Sequence, residues 1–415
     1  MLRLLDILLG RIVSRGTLTL IDADGVSHRY GDGSPPGVAV RLRDKRLERQ
    51  LVRDPQLAVG EAYMQGRLEM VQGSIYDFLE LVLSNLIDKP LPTWTKGFDV
   101  ARYALRRLMQ FNPASRSQRN VAHHYDIDGA IYDLFLDSDR QYSCAYFTEG
   151  ADLEEAQLAK KRHLAAKLAI DPGHRVLDIG SGWGGLGLYL AKVAQCDVTG
   201  VTLSQEQLKV SRERAAREGL SRAVHFKFQD YRQVEGRFDR IVSVGMFEHV
   251  GVNHYGVYFR KLRELLNDDG VALIHSIGRS EPPASTNPFI AKYIFPGGYI
   301  PALSEMTAAI ERAGLIIDDV EVLRLHYAET LRAWRRRFLA NWDKAAAIRD
   351  ETFCRMWEFY LAASETAFRY QNLVVFQVQL SKRIKALPIT RDYMFKRERG
   401  LIEHEGAERP RMAGE

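Results

Sequence analysis

The segment Val176-Leu-Asp-Ile-Gly-Ser-Gly-Trp-Gly-Gly185 runs from apolar residues into a glycine-rich turn and then into an amphipathic stretch. A buried strand that enters a helix through Gly180, Ser181, Gly182 and Gly184 lets a ligand approach the backbone closely, at the strand end where open α/β sheets bind nucleotides. Asp178 precedes the first glycine, and the spacing is G-x-G-x-G rather than the G-x-G-x-x-G of dinucleotide folds. The second strand of such a fold normally ends in a carboxylate that takes ribose hydroxyls. Here it reads Gly200-Val-Thr-Leu-Ser204, so Thr202, Ser204 and Gln207 offer neutral hydrogen bonds instead.

Four further residues, Cys144, Glu248, His275 and Tyr327, are of types that hold or move protons, yet each alone has a plain structural reading. Cys144, with no base beside it in sequence, reads as a small buried hydrophobe. His275 closes an apolar strand and reads as a core histidine; Glu248 beside His249 reads as a helix N-terminal carboxylate. Tyr142, Tyr231 and Tyr327 read as packing rings. His123, His124 and Asp126 are metal-ligand types, but no second cluster completes a coordination set, and no metal is expected.

These groups need elements to position them. Met1 to Arg11 reads as a short amphipathic helix, since Arg3 and Asp6 interrupt its apolar run and no small-residue cleavage site follows. Short β-like stretches alternate with turn clusters up to about Asp54, beginning with Thr17–Ile21. Helical periodicity follows over Ser74–Leu86 and Phe98–Phe111, the latter carrying Arg102, Arg106 and Arg107. The polar stretch Asn112–Asn120, with Pro113, is the expected linker.

Past His163 apolar strands alternate with amphipathic helices. Strands are expected at Val176–Ile179, Asp197–Val201, Val224–Phe228, Arg240–Val244, Val271–His275 and Ile316–Val322. Helices are expected at Gly185–Val193, Gln205–Glu218, Tyr255–Leu266 and Ser304–Ala313, the second opened by a capping-box pair of Ser204 and Gln207. Leu373–Leu380 reads as a last, antiparallel edge strand on a mostly parallel, doubly wound sheet.

Composition bounds the reading. The 415 residues hold 46% hydrophobic and 27% charged residues, ordinary globular usage that excludes a disordered or collagen-like chain. Three scattered cysteines, Cys144, Cys196 and Cys354, make neither a disulfide framework nor a structural zinc site and point to a reducing, cytoplasmic setting. No apolar run approaches the ~18 residues of a membrane span. Residues 1–120 hold 18 basic against 13 acidic residues, which carries the whole net charge of +5. That imbalance suits an anionic lipid surface or a solvated face; no basic patch with interleaved aromatics suggests nucleic acid.

The glycine loop resembles the S-adenosylmethionine loop of class I methyltransferases, and nearly the whole chain resembles the cyclopropane-fatty-acyl-phospholipid synthases and the related mycolic acid cyclopropane synthases. The matching segments are His123-His-Tyr-Asp126, Gln141-Tyr-Ser-Cys-Ala-Tyr-Phe147, the glycine loop, Val201-Thr-Leu-Ser204, Phe238–Gly251, His275-Ser-Ile-Gly278, Phe289–Pro301 and His326–Trp334. The resemblance implies a Rossmann-like α/β methyltransferase fold with a smaller mixed α+β N-terminal domain. It divides the chain into a lipid-binding, membrane-associating domain (1–115), a linker and active-site lid (116–160), the catalytic domain (161–395) and a polar tail (396–415).

By the same resemblance, Tyr142 and Ser143 close over S-adenosylmethionine, Asp178, Gly180, Ser181, Gly182 and Gly184 cradle it, Thr202, Leu203, Ser204 and Gln207 hold the ribose side, and Asp230 and Tyr231 flank the adenine. Cys144, Glu248, His275, Ile277 and Tyr327 map onto the ligands of a bicarbonate that serves as base. The implied partners are unsaturated phospholipids in a membrane surface, met peripherally from the cytoplasmic side of the inner membrane, without nucleic acid; a homodimer is allowed. The implied reaction is cyclopropanation, with a methyl-branching relative as the alternative; an N-methyltransferase of small amines and a non-catalytic lipid- or cofactor-binding protein on the methyltransferase fold are more distant readings. One departure is Ser364, where family members often carry a cysteine, which favours the bicarbonate base over thiol chemistry. Arg332, Arg335, Arg336 and Arg337 form a basic run that suits lipid phosphates or a solvated face equally.

Overall fold

A computed structural model of the chain describes residues 3–87, 102 and 129–408. The helix expected over Phe98–Phe111 (Arg102 apart), the linker 112–120 and the His123–Asp126 motif lie outside the described residues.

The N-terminal part is a four-stranded sheet with helices. Strands β1 (Thr17–Ile21), β2 (Ser27–Gly31), β3 (Gly37–Leu42) and β4 (Leu68–Gln72) take the order β2-β1-β3-β4, with β1 parallel to β3 and the outer pairs antiparallel. Around them lie α1 (Arg3–Ile12), α2 (Lys45–Arg53), α3 (Pro55–Met64) and α4 (Ile75–Leu86). Ser74 caps α4 through a reciprocal capping box with Asp77, which sets its start where the periodicity begins. In α1 the residues Leu5, Leu8, Leu9 and Ile12 face the protein core, so most of the apolar face of this helix is already covered; Leu4 and Ile7 remain exposed.

The remainder is a seven-stranded sheet. Strands β5 (Arg175–Ile179), β6 (Asp197–Thr202), β7 (Val224–Phe228), β8 (Phe238–Val244), β9 (Leu266–Arg279), β10 (Ile316–Val322) and β11 (Leu373–Ser381) lie in the order β10-β11-β9-β8-β5-β6-β7. The helices are α5 (Gly129–Asp133), α6 (Leu153–Lys167), α7 (Gly185–Lys192), α8 (Gln205–Arg217), α9 (Tyr255–Leu265), α10 (Leu303–Ala313), α11 (His326–Ala340), α12 (Trp342–Ile348), α13 (Glu351–Tyr370) and α14 (Asp392–Glu408). The five strands β9-β8-β5-β6-β7 are parallel, and the interior ones β8, β5 and β6 are mostly buried because helices cover both faces.

The last strand is not the edge expected from the sequence. β11 lies between β9 and β10 and is antiparallel to both, so β10 is the edge. All but the first residue of β11 are buried, as an interior position requires, whereas every residue of β10 is partly or fully exposed.

Helix packing joins the N-terminal part to the remainder and the C-terminal helix to α6. Helix α13 packs against α3 and α4 of the N-terminal sheet, with Tyr63 donating to Glu358 at 2.5 Å and Tyr370 to Glu80 at 2.6 Å. The stretch expected as a polar tail carries α14 over its described part, packed along α6. There His163 bonds Glu398 at 2.5 Å and Glu321 at 2.7 Å. Burial opposes a charged ring at His163, but the two carboxylates outweigh it and hold its pKa above the ordinary value.

Candidate active site

β5 delivers Asp178 and the glycine turn to the carboxyl end of the sheet, at the point where the strand order reverses. Gly180 and Ser181 donate their N–H groups to the Val201 carbonyl, which fastens the turn to β6. Gly182 and Gly184 both hold positive φ, +54° and +86°, but for different reasons. A Cβ on Gly184 would meet the Phe226 ring at 2.7 Å and Ser211 at 2.8 Å, whereas a Cβ on Gly182 would meet nothing within 4 Å. Gly184 serves helix–sheet packing; Gly182 borders open space that a ligand can fill.

Asp178 is 2% exposed and its Oδ2 has no hydrogen-bond partner, as is also true of the buried Ser181 Oγ. Burial pushes the Asp178 carboxyl up to about 7, with the Lys160 charge pulling the other way. Unpaired buried polar atoms of this kind, beside a glycine that leaves room, fit S-adenosylmethionine as the missing partner.

The cleft beside this turn is lined by Gly180, Thr202, Leu203, Gln207, Asp230 and Tyr231, all expected from the sequence, together with Arg232, Gly245, Met246 and His249. Thr202 Oγ1 donates to Gln207 Oε1 at 3.0 Å and accepts from Ser204 N–H at 3.1 Å, while Ser204 Oγ accepts from Gln207 N–H at 3.3 Å. The capping box expected of Ser204 and Gln207 is therefore only half formed, because the glutamine side chain is taken by Thr202. Arg232 binds both carboxylate oxygens of Asp230, at 2.8 and 2.6 Å, which holds that carboxylate at the cleft wall.

The segment from Asp137 to Phe147 crosses the turn. Asp139 accepts from Lys161 at 2.6 Å and also from Arg214, whose guanidinium reaches the Trp183 carbonyl at 3.0 Å. Gln157 donates to the carbonyls of Gln141 and Ser143. The Tyr142 ring stacks on Trp334 with centroids 5.2 Å apart, and its hydroxyl shares a 2.9 Å hydrogen bond with Tyr360 of α13. Ala145 N–H to Thr330 and Phe147 N–H to His326 fasten the segment to α11, the helix that holds Tyr327.

Glu248 lies on the 3₁₀ turn Phe247–His249 rather than at an α-helix N-terminus. Its Oε1 accepts from the Ile277 N–H at 2.7 Å, and its Oε2 is buried without a partner. Burial pushes this carboxyl up to about 7. Two residues before Ile277 on β9 is His275, 2% exposed, whose Nδ1 accepts from Gln377 Nε2 of β11 at 3.2 Å. The proton then belongs on Nε2, which is buried and unpartnered. Burial and the Lys160 charge pull its pKa down to about 3, so the His275 ring is neutral.

Cys144, 1% exposed, gives its thiol to the Ala145 carbonyl, and burial pushes it well above the ordinary thiol range. It is no nucleophile. Tyr327 is buried among rings, 5.8 Å from Trp334 and 4.9 Å from Phe368. The Ile277 N–H is on Glu248 Oε1, so this backbone donor orients that carboxylate. Glu248 Oε2 and the His275 Nε2–H, one acceptor and one donor, fit an anion that still carries a hydroxyl proton.

Several residues join the site without any signal in the linear sequence: Lys160, Gln157, Tyr360 and Gln377. Three members of the basic run on α11 have carboxylate partners within the chain: Arg335 pairs with the buried Glu365, Arg337 with Glu154, and Arg332, which stays exposed, with Glu329 of the same helix. Ser364 lies half-buried on α13. Among the described residues no cluster of three metal-ligand side chains occurs, and no helix is long and apolar enough to cross a membrane.

A sequence model described as mycolic acid cyclopropane synthetase matches residues 113–378, and one described as a domain of unknown function matches residues 13–86. The chain is 38% identical over 359 residues to a cyclopropane-fatty-acyl-phospholipid synthase of Escherichia coli, covering 85% of this chain and 90% of that one. It is 35% identical over 386 residues to a tuberculostearic acid methyltransferase of Mycobacterium tuberculosis, covering 89% of each. Among solved structures, the mycolic acid cyclopropane synthase CmaA1 in complex with SAH and CTAB superposes with a TM-score of 0.61 at 32% identity, covering 65% of this chain and 99% of that one.

Proposed function

The chain belongs to the mycolic acid cyclopropane synthetase family of S-adenosylmethionine-dependent methyltransferases, and on that premise we propose that it cyclopropanates cis double bonds in unsaturated phospholipid acyl chains, with bicarbonate as the base. The observation that carries this reading is the pair of buried, unpartnered atoms Glu248 Oε2 and His275 Nε2 at the end of β9. S-adenosylmethionine supplies the methyl group, which an alkene takes up to leave a carbocation beside it. Bicarbonate, which Glu248, His275 and Tyr327 would hold, would supply the base for the proton that this methyl must lose before the ring can close.

The chain's own residues fix where that happens. Glu248, oriented by the Ile277 N–H, accepts the hydroxyl proton of the anion; neutral His275, oriented by Gln377, donates through Nε2; Tyr327 contributes its phenol from α11. Cys144 contributes position, not thiol chemistry. Tyr142, Trp334, Tyr360 and Phe368 wall the site with rings, which excludes water that would quench a carbocation.

The methyl-branching alternative keeps a place because two relatives of comparable identity are named a probable fatty acid methyltransferase and a tuberculostearic acid methyltransferase. Mass spectrometry of acyl chains after expression in a host without such an enzyme separates the two. Gain of one CH₂ with hydrogen deficiency unchanged, in a product that ozonolysis does not cleave at the former double bond, means a ring; the same mass with a cleavable C=C, or gain of CH₂ plus two hydrogens, means a branch and overturns the proposal. No shift in acyl mass overturns both.

Peripheral membrane association belongs to the same reading and rests on the basic N-terminal part and on Leu4 and Ile7, which α1 leaves about half exposed, at 51% and 54%. Inserting two such side chains into a lipid interface is worth ~2–4 kcal/mol. Leu4→Glu with Ile7→Glu is expected to cut sedimentation with anionic liposomes by ~10-fold or more while leaving the fold intact, and added salt is expected to weaken binding of the unmodified chain. Unchanged sedimentation of the double variant would place membrane contact elsewhere.

A further inference from the structure

Lys160 is 0% exposed, yet among the described residues its ammonium bonds only neutral oxygens: Gln141 Oε1 at 2.6 Å and Ser143 Oγ at 2.9 Å. A buried cation without a carboxylate on it is costly and persists where the site needs its charge or its reach. Its neighbours Lys161 and Lys167 on α6 are paired directly, with Asp139 and Glu321. Lys160 is not, and the two residues it bonds flank Tyr142 and lead into Cys144.

We propose that Lys160 is a positioning residue, which holds the Gln141–Cys144 segment in the conformation that serves the cofactor cleft on one side and the base site on the other, and whose charge favours an anion at the base site. This rests on the base-site reading above. Gln157, three residues before it and thus on the same helix face, bonds the backbone carbonyls of Gln141 and Ser143, so α6 grips the segment by main chain and side chain together. The carboxylates whose charge bears on Lys160 are Asp137 and Asp139, and Lys160 in turn acts on Asp178, Cys144 and His275. Its influence therefore spans both halves of the site. Burial pulls the ammonium down to about 8, which leaves it charged at neutral pH.

The test compares Lys160→Arg, which keeps the charge, with Lys160→Met, which keeps length and apolar volume only; Lys160→Gln carries the neutral arm should the methionine variant not fold. Two readouts do not depend on turnover: binding of ¹³C-bicarbonate by NMR, and amide hydrogen exchange of residues 141–147. The neutral variant is expected to bind bicarbonate at least ~10-fold more weakly and to exchange the segment's amides at least ~10-fold faster, with the arginine variant nearer the unmodified chain on the first measure. Unchanged exchange and unchanged bicarbonate affinity in the neutral variant would overturn the proposal. If the unmodified chain itself binds no bicarbonate, the base-site reading falls and the charge assignment with it, while the exchange readout still decides whether Lys160 holds the segment.

Discussion

Glu248→Gln is expected to lower turnover by ~10²-fold or more, the range typical of losing a positioned acid–base group, while S-adenosylmethionine binding stays close to that of the unmodified chain. The substitution keeps shape and leaves an amide oxygen for the Ile277 N–H, so the 3₁₀ turn has no cause to move. What it removes is the acceptor at Oε2, where an amide NH₂ would meet the hydroxyl of a bound anion donor to donor. The carboxyl, pushed up to about 7 by burial, must be ionised to accept, so turnover at saturating S-adenosylmethionine should rise with pH through that value. In the glutamine variant this rising limb should be lost. Partial rescue by added bicarbonate would mark a weakened anion site. Full activity of both Glu248→Gln and Tyr327→Phe in bicarbonate-depleted buffer would remove the proposed base.

The second large effect concerns the cofactor cradle, where two glycines two residues apart should fail differently. Gly182→Val places a branched side chain in the open space beside the turn and should weaken S-adenosylmethionine binding by ~10²-fold or more in calorimetry, with only ~1–2 kcal/mol of backbone strain from its positive φ. Gly184→Val instead drives Cβ into Phe226 and Ser211, so its main cost is overpacking of several kcal/mol on top of the same strain. It should appear as a lowered melting temperature before any binding is measured. Unchanged cofactor affinity in Gly182→Val would falsify the assignment of the glycine turn as the cradle.

The glycine turn, β5 to β8 and the helices between them were legible because each is specified locally. A five-residue strand, Arg175–Ile179, buried in all but its first residue, followed by glycines and then a helix, has few conformations that bury it and satisfy its backbone. The capping of α8 by Ser204 was legible in the same way, and the return arm failed because Thr202, five residues away, competed for the Gln207 side chain. The place of β11 was not legible. Its alternating pattern suits a half-covered edge, but the helices that bury its second face are selected by the sheet as a whole, not by the strand.

What the sequence by itself determined about this protein is the class of chemistry: a strand–glycine turn–helix that binds a nucleotide-like cofactor, neutral groups on the second strand in place of a carboxylate, and a set of proton-handling residues dispersed through the chain. Tertiary structure alone decided which groups meet and in what state. On α6 the polar Gln157 and Lys160 are buried because the segment before the helix folds back across it, and Lys167 because β10 packs against it with Asp319 and Glu321. Gln377 meets His275 only through the antiparallel register of β11 on β9, and Ile277 meets Glu248 only because a turn after β8 returns to the end of β9. The physical reason is range. Backbone preference and periodicity act over a few residues, while burial, which sets the protonation of Glu248 and His275, depends on what packs across from far along the chain.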